Sequence, residues 1–161
     1  MSLELAVLSI LHVMFGALFF GAVIVLNAAV APLVITLPFG AMREFITKFW
    51  ARMARLLHTA IGGTALFGIL LYIAGDFHSE GGVNGMLLDT GALLGLLAII
   101  IGEGLQIPTI SKLVKSVNQD PTQQSFTPDQ QRLLNRVKVN GLIGLILVAL
   151  AVVCMIASAS Y

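Results

Sequence analysis

Charge is what this chain has least of. Asp, Glu, Lys and Arg make up 11% of its 161 residues, against 58% hydrophobic, where a soluble domain carries nearer a quarter charged. So few charges cannot cover a globular surface in water, and a mean hydropathy of +0.97 points to lipid as the solvent for much of it. Cysteine is almost missing too. The single Cys154 excludes an internal disulfide, and its apolar setting reads as a membrane-buried thiol. The first apolar run is too long for a signal-peptide core and follows no basic segment, so a cleaved signal is not expected. No P-loop, dinucleotide fingerprint, nucleophile elbow, HExxH or paired-cysteine motif occurs.

The charges that are present are sorted by sign. All nine Lys and Arg fall in two blocks, Arg43 to Arg55 and Lys112 to Lys138. The stretch from Asp76 to Asp89 holds Asp76, Glu80 and Asp89 without a basic residue. By the positive-inside rule, stretches 38–55 and 111–138 are cytoplasmic loops, and the acidic loop and both termini lie outside the cell membrane. That distribution accounts for the basic residues without nucleic acid. The stretch Ala41 to His58 organises the rest. It is basic and amphipathic, with Phe45, Phe49 and Met53 on one face and Trp50 suited to the headgroup layer. Each of its cations would cost about 2.5–3.5 kcal/mol at the bilayer centre, so it stays at one membrane face.

Four apolar runs, at approximately 5–37, 56–74, 86–110 and 139–157, predict a single all-α domain, a transmembrane four-helix bundle. Pro32 should bend the first span, and Leu37-Pro38-Phe39-Gly40 reads as a turn. Residues 75–85 form a Gly-rich polar loop and 111–126 a polar connector. Thr127-Pro128-Asp129-Gln130 matches a capping box that starts a helix in water. The halves are similar. Asn27 stands five positions before Pro32, as Glu103 stands five before Pro108, and Arg55-Leu-Leu-His58 parallels Arg136-Val-Lys-Val139. Two repeated hairpins would place a site at their interface.

Four ionisable or polar positions stand out. His12 lies well inside the first span, where ionisable groups are functional candidates by default. It shares a helical stripe with Gly16, Phe19, Val23 and Asn27. It is either a haem or metal ligand or a histidine bonded to a neighbouring helix. His58 opens the second span beside Arg55, as a second ligand or as an interfacial histidine. At ~1.5 Å per residue, His12 is ~10 Å from the outer face and His58 ~24 Å, too unlike in depth to flank one upright haem. Glu103 is level with His58, and Gln106 follows one turn later. A cluster of Glu103 with His58 or Arg55 would be either a clasp between hairpins or a proton-relay carboxylate. Outside, Asp76, His78, Glu80 and Asp89 form a solvated acidic loop, or a divalent metal site together with His12.

The first span, LHVMFGALFFGAVIVLNAAVAP, has an early histidine, small residues and then a proline. It is followed by Arg52-Met-Ala-Arg55-Leu-Leu-His58. Over residues 8–75 this pattern resembles small four-helix membrane proteins of the copper-resistance D-like and haem-b type. The resemblance implies copper handling or haem-linked redox chemistry, with His12 and His58 as the ligands carried over. Three functions are therefore expected to compete. The leading one is a b-type haem protein or subunit in electron transfer, with His12 as an axial ligand and His58 or His78 as the second. The next is a transport or copper-handling protein using Glu103, His58 and the outer acidic loop. The last is a non-catalytic subunit of a larger complex. The partners implied are the bilayer, a redox partner or other membrane subunits, and a second copy of the chain.

Overall fold

Backbone polar groups find no water in the hydrocarbon core, so each apolar run must close its hydrogen bonds internally as a helix. The computed structural model describes residues 2–75, 82–120 and 122–158. These hold four helices long and apolar enough to cross a membrane: α1 (Leu3–Val34), α2 (Phe39–Ala74), α3 (Gly82–Asn118) and α4 (Pro128–Ser158). The chain is an all-α four-helix bundle, multi-pass by the length and composition of its helices, with apolar side chains facing the bilayer.

The basic stretches turn out not to be loops. Residues 39–55 are the first half of one continuous helix, α2, and residues 111–118 continue α3 past its apolar run. The extension Ile107–Asn118 is amphipathic. It buries Ile110, Leu113 and Val117 at helical spacing, leaving Lys112 and Lys115 exposed. Met42 and Val34 are buried at the same end of the bundle, so part of the core lies at the basic end. Among the described residues the chain breaks at 35–38 and, at the same end, over 119–120 and 122–127. The second is pinned by the capping box: Gln130 N–H donates to Thr127 Oγ1 at 3.3 Å and Thr127 N–H to Gln130 Oε1 at 3.0 Å. Gln130 is also bonded to Gln123, and Phe126 meets Phe39 edge-on at 4.9 Å. In this connector Asp120 accepts from the Thr122 hydroxyl and N–H, which hold its carboxyl below the usual range. At the other end Gly82 opens α3 at φ +82°, a conformation glycine adopts without strain.

Lipid tails are as apolar as leucine, so close packing through small residues has to hold the helices together. The chain packs as two hairpins, α1 with α2 and α3 with α4. In the first, Phe15 covers Gly63 and stacks on Phe67 at 5.6 Å. In the second, Gly91 admits Ala151 and Cys154. Between hairpins, α1 runs against α4, and the backbone of α2 approaches α3 chiefly along Ile107–Asn118.

A methyl group at Gly63 would sit 2.4 Å from the Phe15 ring, whereas one at Gly62 meets nothing within 4 Å. Gly63→Ala should therefore cost about 1–3 kcal/mol through overpacking. Gly62→Ala should be neutral or gain up to about 1 kcal/mol from helix propensity. Reversible unfolding in mixed micelles compares the two directly, and equal effects would contradict this packing.

Candidate functional site between the hairpins

Pro32 and Pro108 have no N–H, and each ring crowds the carbonyl of the preceding turn. In both helices the chain answers by widening. Leu26–Val30 of α1 and Ile100–Gln106 of α3 are π-helical. The residue before each proline donates five positions back, Ala31 N–H to Leu26 O and Ile107 N–H to Gly102 O. Such bulges re-aim side chains and recur at functional sites. Asn27 and Glu103, the two polar residues singled out before the prolines, both lie in these segments.

Each π segment reaches the opposite hairpin. In α1, Asn27 donates Nδ2–H to its own Val23 carbonyl at 2.8 Å. Its Oδ1 is thereby set against α4, where a Cβ on Gly141 would come within 2.4 Å of it. In α3, Glu103 Oε1 lies 2.8 Å from His58 Nδ1 of α2, and Gly102 leaves room for Ile61. With Glu103 ionised its oxygens only accept, so Nδ1 carries the hydrogen. The carboxylate is 32% exposed and the imidazole 48%, so the pair sits on the outer side of the seam. Gln106, on the same π segment, turns to α4 and donates Nε2–H to Val137 O at 3.1 Å. Gln106 Oε1 is the buried side-chain oxygen without a partner among the described residues.

A second polar bridge spans the α2–α3 seam about four turns, or roughly 21 Å, farther along α2. There Tyr72 donates its hydroxyl to Asp89 Oδ1 at 3.0 Å. The seam is thus bridged near both ends of the apolar spans by pairs that each contain a carboxylate. Between the hairpins lies a cavity of about 190 Å³, walled by both π segments. Asn27, Gln106, Asn140 and Lys138 supply its polar lining, and Phe49 and Trp50 lie toward the basic end.

His12 and His58, expected as candidate ligands, are not brought together. His12 Nδ1 donates to Thr64 O at 2.9 Å, and its ring leaves no room for a side chain at Gly68, where a Cβ would come within 2.8 Å of Cε1. Thr64 and Gly68 lie six and ten residues along α2 from His58, roughly 9 and 15 Å. Two axial nitrogens of one iron are only about 4 Å apart, twice a metal–nitrogen bond. His78, Asp76 and Glu80 lie outside the described residues. Asp89 pairs with Tyr72, and among the described residues no three His, Cys, Asp or Glu side chains gather as metal donors. Arg55 lies one turn before His58 on α2 and is exposed. Comparison with known proteins gave no match to a family model, a curated protein or a solved structure.

Gly141→Ala should push Asn27 off α4 and loosen the contact between hairpins. Amide hydrogen exchange around 137–145 should rise, and Asn27→Ala in the same chain should reverse most of that rise. Absence of such rescue would show that the methyl group is not meeting Asn27.

Proposed function

We propose that this chain is a membrane transport protein that carries protons, with His58–Glu103 and Tyr72–Asp89 as its two latches. The observation that carries the reading is the 2.8 Å His58–Glu103 contact, made across the hairpins by a π segment. A carboxylate held this way, part-exposed near one end of the apolar spans, exchanges a proton and changes its hold on the imidazole in one step, because protonated Glu103 loses its charge. The π segments let that local change become a tilt of one hairpin against the other, since they are the points where the straight helical ladder is already interrupted. Tyr72–Asp89 offers a comparable contact at the far end of the same seam. By the positive-inside rule the basic end faces the cytoplasm, which makes His58–Glu103 the inner latch and Tyr72–Asp89 the outer one.

In vesicles reconstituted with the purified protein, an imposed pH gradient should collapse faster than in protein-free vesicles, as followed by a trapped pH-sensitive dye. Glu103→Gln should lower that rate at least tenfold, while His12→Ala leaves it within a factor of about two. Wild-type rates equal to those of empty vesicles would contradict the reading.

A second reading, a b-type haem protein in electron transfer, draws on His12. Donation of Nδ1–H to a backbone carbonyl is how metal-ligating histidines are oriented, and it leaves Nε2 with its lone pair. Haem so held would supply one-electron redox chemistry, and copper could take the same nitrogen. His58 does not fit as the second axial ligand, because its distance along α2 and its bond to Glu103 separate it from His12. An absorption spectrum of protein purified from haem-replete cells should show a Soret band that weakens in His12→Ala. A featureless visible spectrum would exclude this reading.

A further inference from the structure

We infer that the cavity between the hairpins, a cleft open at its basic end, binds an anionic phospholipid, one acyl chain lying in the cleft and the phosphate on Lys138 at the mouth. The inference does not rest on the proton latches. Shape, wall and charge carry it.

The shape is that of a chain. The lining runs from Phe19 to Ile35 on α1 and from Leu134 to Val148 on α4, roughly 24 and 21 Å of helix. About 190 Å³ drawn out over that length is a slot, whereas a compact cavity of roughly 150 Å³ takes one benzene. A helix of a second copy, about 10 Å across, does not enter it. The slot is closed at one end only. Ile61, Ala98 and Val148 at the inner end are buried, whereas Ile35 and Lys138, at the basic end, are the exposed residues of the lining. From Lys138 inward to Val148 is roughly 15 Å of α4, the depth of one leaflet of a ~30 Å hydrocarbon core.

The wall suits hydrocarbon better than water. Most of the lining is aliphatic or aromatic, and a water molecule needs two to four polar partners to settle. The inner amides are turned to protein, Asn27 Nδ2 donating to Val23 O and Gln106 Nε2 to Val137 O. Left empty, the walls would forfeit their dispersion contacts. An acyl chain from the surrounding bilayer restores them.

The charge at the mouth selects the head. Lys138 is the one charged residue of the lining, and Asn140 adds an amide. At this end Glu44 is paired with Lys48, Asp129 with Arg132, and Asp120 accepts from Thr122, so none of these carboxylates neutralises Lys138. Lipid tails are as apolar as the wall, so the tail gains little affinity by entering. The head sets the preference. Lys112 is exposed at the same end without lining the cleft, which makes it the control. Gly144 does line it, and a Cβ there meets nothing within 4 Å. A larger residue at Gly144 therefore fills the slot without displacing a neighbour.

Native mass spectrometry of the full-length protein, released from detergent with added lipid, counts bound lipids one at a time. The probes are phosphatidylglycerol and phosphatidylcholine with identical chains. The first equivalent of phosphatidylglycerol should bind about fivefold more tightly than that of phosphatidylcholine, the ratio one lysine near a membrane surface gives an anionic lipid. Lys138→Gln should remove this preference, while Lys112→Gln leaves it within a factor of about two. Gly144→Leu should abolish the tight first equivalent of both lipids. Glycerol phosphate, the head without a chain, should displace neither. Equal wild-type affinity for the two lipids would overturn the proposal, whether or not any variant folds. So would equal losses in Lys112→Gln and Lys138→Gln, the mark of a diffuse basic surface. Displacement by glycerol phosphate would overturn it by showing an anion site that needs no chain. Oleate binding more tightly than phosphatidylglycerol would overturn it in favour of a free fatty acid.

Discussion

Two missing backbone hydrogens shape the bundle. Pro32 and Pro108 break the helical ladder of α1 and α3 at matching positions, and the chain absorbs each break as a π segment rather than as a loop. A lipid-exposed loop would leave backbone groups unpaired at a cost of several kcal/mol each. A π segment keeps them bonded, five residues back instead of four, and swings the side chains near it to new directions. The placements of Asn27, Glu103 and Gln106 follow from that swing. Asn27 is aimed at Gly141, Glu103 at His58 and Gln106 at Val137.

The same feature explains why the two hairpins enclose a space. Within a hairpin the helices close tightly, through Phe15 over Gly63 and Ala151 against Gly91. Between hairpins the widened segments and the small residues opposite them hold the helices at a distance that side chains bridge only in places. Aligning Arg55 with Arg136 sets Ala60 of α2 opposite Gly141 of α4, and both are buried. Each thus lies where its helix is approached by the π segment of the other hairpin. Polar pairs near the two ends of the α2–α3 seam then connect hairpins whose tight packing is mostly internal.

Much of this was legible in the residues. Hydropathy located the four helices, and Thr127 and Gln130 announced their reciprocal cap. Depth along an ideal helix put Glu103 level with His58, and the structure places them in contact. Other features were hidden for physical reasons. Residues 38–55 looked like a loop because charge marks where lipid ends, and says nothing of where a helix ends. Leu113 and Val117 were read as connector, although their spacing from Ile110 was the signal of an amphipathic extension. The Asn27 to Pro32 and Glu103 to Pro108 spacings were visible. That they would become π segments was not, since the choice between a kink and a widened turn depends on what packs beside it. Tyr72 drew no attention because a tyrosine at a membrane boundary is ordinary, and its bond to Asp89 depends on the register of α2 against α3.

Whether His58 and Glu103 act as one unit is the central claim, and a double-mutant cycle on proton flux tests it most directly. His58→Gln, Glu103→Gln and the double variant would be reconstituted at equal density, and the rate of pH-gradient collapse measured for each. Groups that work as a unit are strongly non-additive. The account predicts that each single substitution lowers the rate about as far as the pair does. Losses that multiply, with the double variant slower than either single one by the product of their separate effects, would show two independent residues and contradict it.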